Sequence, residues 1–561
     1  MKRTHRLHMP RQMAQGCAKA ARRLDHFGRD ESGAVLLFAM FMLTCMLMIG
    51  GVGIDLMRFE RDRMSLQNTL DSAVLAAADL DQTQPARQVV EDYFQKAGVG
   101  ASLTSVNVDE GIGFRSVSVT AESKINTHFM KLFNIKTLTA PATGKAEERI
   151  DGIEISLVLD VSGSMNSNSR LKRLRPAARS FVDTVLESAQ EGNIYVSIVP
   201  YATQVAVGKN LLDQYTVSDE HEYSHCVNFA SADFNRTSIS PNTELDRTAH
   251  FDPWYHRELN EDSESDFHRV CATGNNLQVL PFSNNRTTLH NYINKLTARG
   301  NTSIDLGMKW GAALVDPSTQ PVLTGLIDDG HAPNAFRGRP HEFNNSSTLK
   351  VVVLMTDGRN TNQYYLNDSV KSGASGVWYN AEAKVYSVYN GFYNNRHNYY
   401  WPDSGKYTDH PYGNGTYEEC RWEWTRNRWG NWYQVQRCEN VDEPGTAVNL
   451  TYPELWNRAS LTWNRDENYG FDQNRQWKYY NSIRHYHGAN TKDARTNAIC
   501  TAAKNNGIVI FTVGFEAPDR GQNVLRKCAS SDGHHFDVDG LAIDDAFESI
   551  AASIRKLRLV Q

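Results

Sequence analysis

The chain has 561 residues, with 59 Lys and Arg against 64 Asp and Glu and a formal net charge of −5. That length exceeds one average domain, so two or more are expected. The mildly negative balance, with no long basic block beyond the N-terminus, argues against nucleic-acid binding.

Residues 1–32 are basic, with Lys2, Arg3, Arg6, Arg11, Lys19, Arg22, Arg23 and Arg29. From Gly33 to Ile54 no charged residue follows. About 20 apolar residues suffice to cross a bilayer, so 33–54 reads as a transmembrane helix. The excess of Lys and Arg before it places 1–32 in the cytoplasm and everything after Asp55 outside. A cleaved signal peptide would carry a shorter apolar core, about 7–15 residues, ending at a small-residue site. Here Ala76-Ala77-Ala78 lies too far beyond the run, which favours a retained anchor.

Residues 55–150 read as a stalk and a small α+β segment. Leu66, Leu70, Val74 and Leu75 recur at helical spacing over 55–80. Such a helix is either a stalk leaving the membrane or is packed on its own small domain. Residues 116–121 alternate as a strand. A brief helix is expected over 128–133 and another strand over 137–146.

From 151 onward strand and helix alternate. The apolar run Ile155-Ser156-Leu157-Val158-Leu159 ends in Asp160-Val161-Ser162-Gly163-Ser164, a carboxylate and two hydroxyls each two residues apart. Hard divalent cations prefer such oxygen donors, and open α/β sheets place ligands at the C-terminal ends of their strands. Asp-x-Ser-x-Ser alone also fits a helix N-cap. Two later segments favour the metal. Gly300-Asn301-Thr302-Ser303 precedes a helical pattern and offers Thr302, and the buried run 351–356 ends in Asp357-Gly358. Arg359 is read as structural or as tuning charge at this rim.

The alternation predicts a mainly parallel sheet with helices on both faces. Its expected elements are a strand 154–160, a helix about 170–188 and a strand 193–199 paired with 201–207. A helix 286–298, a late strand 508–514, an edge strand 534–538 and a final helix 542–557 follow. The helix 170–188 should bury Leu171, Leu174, Ala178, Phe181, Val182 and Val185. Two insertions interrupt this core. Residues 208–282 are expected to leave from the rim opposite the metal, and residues 360–490 from the metal rim itself.

The second insertion is dense in aromatics, including Trp422, Trp424, Trp429 and Trp432. It reads as a subdomain stapled by Cys420 and Cys438 whose aromatics fill a small core, or as a recognition surface for protein or carbohydrate. A flexible lid is disfavoured by the aromatic density. Cys17 would be cytoplasmic and Cys45 intramembrane. The exported six, Cys226, Cys271, Cys420, Cys438, Cys500 and Cys528, fit a disulfide framework, and sequential pairing is the expected connectivity among the alternatives. A phosphate-binding glycine loop, Gly-x-Ser-x-Gly and His-Glu-x-x-His are absent from the sequence. His534 and His535 read as exposed residues of an edge strand. An enzyme is therefore not expected.

Asp160, Ser162, Ser164, Thr302 and Asp357 resemble the metal-ion-dependent adhesion site of von Willebrand factor A domains at all five positions. The resemblance implies a doubly wound, mostly parallel sheet over 151–561 carrying a divalent cation. Mg²⁺ is the expected ion, with Mn²⁺ and Ca²⁺ as alternatives. It also implies an open coordination position filled by a partner's acidic group, and a movable final helix coupled to occupancy. Residues 29–35, the apolar run, Asp55-Leu56-Met57-Arg58 and 66–78 resemble the N-terminus of TadE/TadG-type proteins of tight-adherence (Flp) pilus assembly. Pilin-like members carry a Glu early in the apolar run. Here that region is Leu36-Leu37-Phe38-Ala39, without the Glu, so the likeness alone does not imply processing or polymerisation as a pilin. The larger TadG-type members combine such a segment with an A domain and end in a similar helix. The resemblances imply a single-pass protein of a bacterial inner membrane, its bulk periplasmic or cell-surface. It would assemble pili with other pilus-assembly or envelope proteins. The alternatives are a surface adhesin and an envelope scaffold.

Overall fold

The computed structural model describes residues 32–79, 82–111, 114–149, 152–187, 193–259, 268–345 and 348–556. The basic N-terminus with Cys17 lies outside the described residues. The chain divides into two compact units, Met1–Glu148 and Arg149–Gln561.

The first unit is built on one helix, Ser32–Ala78. It contains no proline, and Leu, Met and Ala favour helix throughout. Its first half exposes apolar side chains, with Leu37 at 70% and Ile49 at 74%. By length and composition this half is able to cross a membrane. The second half buries Leu66, Leu70, Ala73, Val74 and Ala77, one stripe at helical spacing. The stripe packs with Val89, Val90 and Phe94 of the helix Ala86–Lys96 and with Val106, Val117 and Val119 of a three-stranded sheet. The sheet's strands are Leu103–Gly111, Phe114–Asn126 and Thr137–Arg149. Leu75, placed on the apolar face by its spacing, is 68% exposed. The brief helix is a 3₁₀ turn, Met130–Phe133.

The second unit is mixed α/β around a six-stranded sheet. Its strands lie in the order His535–Val538, Val509–Phe515, Thr348–Thr356, Gly152–Asp160, Ile194–Tyr201, Leu280–Ser283. The first four neighbouring pairs are parallel and the last is antiparallel. Every residue of Gly152–Asp160 and Ile194–Tyr201 is buried, as expected of parallel strands covered on both faces. The chain builds outward from Gly152–Asp160 in one direction, then returns to its other side with Thr348–Thr356. The order therefore reverses between these two strands, where a doubly wound sheet opens a ligand crevice. The unit's other sheet pairs are antiparallel.

The helix Ile304–Ala313 covers one face and is buried along its whole length. Two glycines allow that approach. A methyl on Gly307 would lie 2.6 Å from the Tyr201 ring, and one on Gly311 would lie 2.4 Å from Val158 Cγ2. The other face carries Arg170–Leu186 and the final helix Ala542–Lys556, joined by an edge-to-face contact of Phe181 and Phe547. The apolar positions expected on Arg170–Leu186 are all buried.

The insertions differ from expectation in two respects. Leu280 lies beside Ile198 and Ser283 beside Val196, so the returning chain descends from the rim that carries Asp160. Tyr201 ends its strand beside Asp160, and 202–207 form no strand antiparallel to it, so residues 208–282 both leave from and return to the Asp160 rim rather than the opposite one. The aromatic insertion does hold a core, formed around the strands Ala374–Asn380 and Val385–Tyr393 and the helix Tyr452–Arg458. Val377, Tyr386, Val388, Leu455 and Trp456 fill it together with Ala249, Phe251 and Val270 of the first insertion. Cys420 and Cys438 do not staple this core. They face one another across an exposed hairpin, Thr416–Arg426 with Trp432–Asp442. Cys226–Cys271 and Cys500–Cys528 form the other disulfides.

Candidate metal centre

Asp160 ends its strand at the point of reversal, fully buried. Its Oδ1 accepts the Ser162 N–H at 2.7 Å and its Oδ2 accepts the Thr356 hydroxyl at 2.6 Å. Ser164 Oγ donates to Asp357 Oδ1 at 2.8 Å and lies 3.1 Å from Ser162 Oγ. The Gly163 N–H donates to the Gly300 carbonyl at 2.9 Å, which ties the Thr302 loop to the first motif. A methyl built on Gly358 would lie 3.6 Å from Thr302 Oγ1 and 3.9 Å from Ser164 Oγ. The three segments thus converge, and glycine at 358 keeps the space between them open. A serine hydroxyl can donate its proton to Asp357 and still turn a lone pair toward a cation. Three hydroxyls and two carboxylates are a donor set suited to a hard divalent ion.

Burial, followed by the like charge of Asp357, pushes the Asp160 carboxyl well above its ordinary range. Burial also raises Asp357, against the lowering effect of its bonds from Ser164 and Arg170. Two buried acids this close call for positive charge. Part of it comes from Arg170, whose Nη1 donates to Asp357 Oδ2 at 2.8 Å and whose Nε donates to Glu516 Oε2 at 2.9 Å. Glu516 Oε1 accepts in turn from Arg173 and from the Gly540 N–H just before the final helix. Arg359 is exposed and makes no such contact among the described residues, whereas Arg170 does.

A second layer fixes the loops. Lys492 is fully buried and its Nζ donates to Thr302 O at 2.8 Å, Ser303 Oγ at 2.6 Å and Thr361 O at 2.9 Å. Asn360 Oδ1 accepts the Ile304 N–H, capping the helix that follows Thr302, while its Nδ2 donates to Asp493. Sequence reasoning missed Arg170, Lys492 and Asn360. Only Arg170, opening the helix after the motif, carried a local signal. His535 lies on the edge strand and shares a hydrogen bond with Thr512 Oγ1 at 2.8 Å.

The four singled-out tryptophans are 57–72% exposed. The register places Trp422 opposite Gln436, Trp424 opposite Gln434 and Arg426 opposite Trp432. Strand residues two apart share a face, so Trp422, Trp424, Trp432, Gln434 and Gln436 line one side together with Arg426, which stacks on Trp432, and the Cys420–Cys438 disulfide. The other side carries Glu419, Arg421, Glu423, Arg437 and Glu439, with an Arg437–Glu423 pair at 3.1 Å. Trp429 stands at the tip beneath Arg428.

Residues 33–80 match the family model described as "Putative Flp pilus-assembly TadE/G-like". A comparison with curated proteins finds no match. Among solved structures, the chain is similar to the vWF domain of the type V pili tip protein Mfa5 from Porphyromonas gingivalis. The identity is 14% over 73% of this chain and 98% of that one, with a TM-score of 0.31. It is also similar to the open conformation of the pilus adhesin SpaC from Lactobacillus rhamnosus GG, at 11% identity over 80% and 33% of the two chains (TM-score 0.28). A third structure is proximal thread matrix protein 1 from the mussel byssus with a zinc-occupied MIDAS motif. It is 10% identical over 72% of this chain and 46% of that one (TM-score 0.26).

Proposed function

We propose that this chain is a membrane-anchored, extracytoplasmic component of tight-adherence (Flp) pilus assembly. In this reading its second unit is a doubly wound von Willebrand A-type domain. Ser162, Ser164 and Thr302 coordinate a divalent cation, Mg²⁺ foremost, and Asp160 and Asp357 bind it directly or through water. An Asp, Glu or C-terminal carboxylate of another pilus-assembly or envelope protein completes the coordination. One observation carries the reading: three segments far apart in sequence bring five oxygen-bearing side chains to the strand-order reversal, around a glycine that leaves room between them. The match over residues 33–80 supports the pilus context. The test is calorimetric titration of the detergent-solubilised chain with Mg²⁺ and Mn²⁺ beside Asp160→Ala. Binding by the parent alone is expected. A folded parent that binds neither ion would leave the site without its function.

A second reading assigns the molecule an adhesive role through the hairpin. Its one-sided array of Trp422, Trp424, Trp432, Gln434 and Gln436, with Arg426 stacked on Trp432, supplies flat apolar faces and hydrogen-bonding groups, suited to protein or carbohydrate. Loss of polysaccharide pull-down after Trp422→Ala and Trp424→Ala would support it, and unchanged pull-down would count against it.

A further inference from the structure

The 3₁₀ turn of the first unit is fastened to the long helix at one level. Asp55 is buried, and its carboxylate accepts three consecutive backbone N–H groups: His128 at 3.0 Å, Phe129 at 2.7 Å and Met130 at 2.8 Å. A methyl on Gly51 would lie 2.3 Å from Phe129 Cδ1, so the Phe129 ring rests on the bare helix backbone there. The Thr127 N–H donates to the Lys136 carbonyl at 3.1 Å, and the Thr127 hydroxyl donates to Ile135 O, which closes the loop. Asn134 turns it with a φ of 65°.

What this fastened loop presents is apolar. Leu132 is 73% exposed, Phe133 56% and Ile135 41%, beside Met57 at 76% on the helix. Lys131 and Lys136 are exposed within the same run. The level at which the loop is held is the end of the uncharged run 33–54. We propose that residues 129–136 form a wedge that enters the lipid headgroup layer where the helix leaves the membrane. This inference rests on the reading of 33–54 as a membrane span.

Continuity decides for lipid over a protein partner. The exposed apolar loop adjoins the last turn of an apolar helix that is itself exposed, and its two lysines flank the apolar residues. Phe and Leu side chains with nearby Lys are a composition that settles at a bilayer interface. Asp55 fixes the depth, because its three hydrogen bonds leave the loop no freedom to slide along the helix. The wedge would also set how the rest of the unit stands on the membrane, since a single helix alone leaves rotation and tilt open.

The test uses the full chain with Cys17 and Cys45 replaced by Ser, reconstituted in nanodiscs with and without anionic lipid. A polarity-sensitive fluorophore is placed at Leu132→Cys, at Leu43→Cys within the apolar run, or at Leu75→Cys. The last lies about 30 Å farther along the helix than Ile54, at about 1.5 Å per residue. Nitroxide-labelled lipid should quench the labels at 43 and 132 and spare the one at 75. Asp55→Ala should abolish quenching at 132 and retain it at 43. Quenching at 43 with none at 132 overturns the wedge and leaves the anchor standing. Absence of quenching at 43 overturns the anchor reading itself, and the wedge with it. A label at 132 shielded from both lipid nitroxide and aqueous iodide would place a protein there and also overturn the proposal.

Discussion

Lys492→Met tests how the loops of the candidate centre are held. Methionine keeps a long unbranched side chain and removes the ammonium. Of the three acceptors, the Thr302 carbonyl keeps the Thr361 N–H at 3.1 Å, and the Ser303 hydroxyl keeps its bond to Thr203 O at 2.7 Å. The Thr361 carbonyl loses its ammonium, at about 1–3 kcal/mol for an acceptor left wanting. The larger effect falls on Asp305. Its carboxyl is fully buried, and burial raises it while Lys492 first and Arg495 second pull it down. Without Lys492, the remaining cation is Arg495 at 4.0 Å. Removing one member of a buried charge cluster costs about 3–5 kcal/mol, and we expect a loss in that range. The assay is urea denaturation of the second unit in chelator, so that cation linkage does not enter. Asp305→Asn combined with Lys492→Met should recover about 1–2 kcal/mol relative to the sum of the single changes. A loss below about 1 kcal/mol for Lys492→Met, or strict additivity, would refute the argument.

Gly358→Ala adds a methyl at ordinary contact distance from Thr302 and Ser164. Stability should therefore stay within about 1 kcal/mol, while calorimetry should show cation affinity reduced by about tenfold or more, near 1.4 kcal/mol; unchanged affinity would remove the cradle from the site. Cys438→Ser opens a cross-link between residues 18 apart in sequence, worth about 3 kcal/mol for a loop of that size. With no core beneath the hairpin, the effect should stay local: faster proteolysis between 416 and 442 at an unchanged main unfolding transition. His410 bonds Glu443 at 3.1 Å and Asp409 at 2.7 Å. Burial pulls its pKa down, but those two bonds outweigh it and hold the imidazole above its ordinary range. Its stabilising effect is then complete below the ordinary histidine value and lost as pH rises through the folded one. The Gly413 and Gly415 amides, bonded to Glu443 Oε2, should exchange faster, after correction for intrinsic rates, at about pH 8.5 than at about pH 5.5. His410→Gln should erase the difference.

The residues of the candidate centre were legible because the first motif and Asp357 each end an apolar run whose strand identity is local. Asp160 and Asp357 end short β-branched runs that read as buried strands, and Thr302 precedes a run of mostly apolar helix formers. The structure joins these pieces by hydrogen bonds that their spacing could not state. Lys492 lies in a polar helix, Ala489–Asn505, with nothing local to mark it as buried, because its partners, two carbonyls and a hydroxyl, are up to 190 residues away in sequence. The antiparallel last strand was hidden for a related reason. Four residues, Leu280–Ser283, carry no directional signal. The aromatic insertion misled in proportion to its composition, since tryptophan density does not say which rings are inside. Trp456 fills a core and donates its indole N–H to Val370 O, while Trp422 and Trp424 stand in solvent.

The margins of the six-stranded sheet bear on the company this molecule is proposed to keep. Its outermost strands, His535–Val538 and Leu280–Ser283, are four residues each. Long unpaired strand edges recruit further chains, and very short ones do not. Beside subunits that associate into filaments, a broad sheet with open borders would invite incorporation into the fibre. In the proposed setting, borders this brief would give a neighbouring filament subunit little of this sheet to extend.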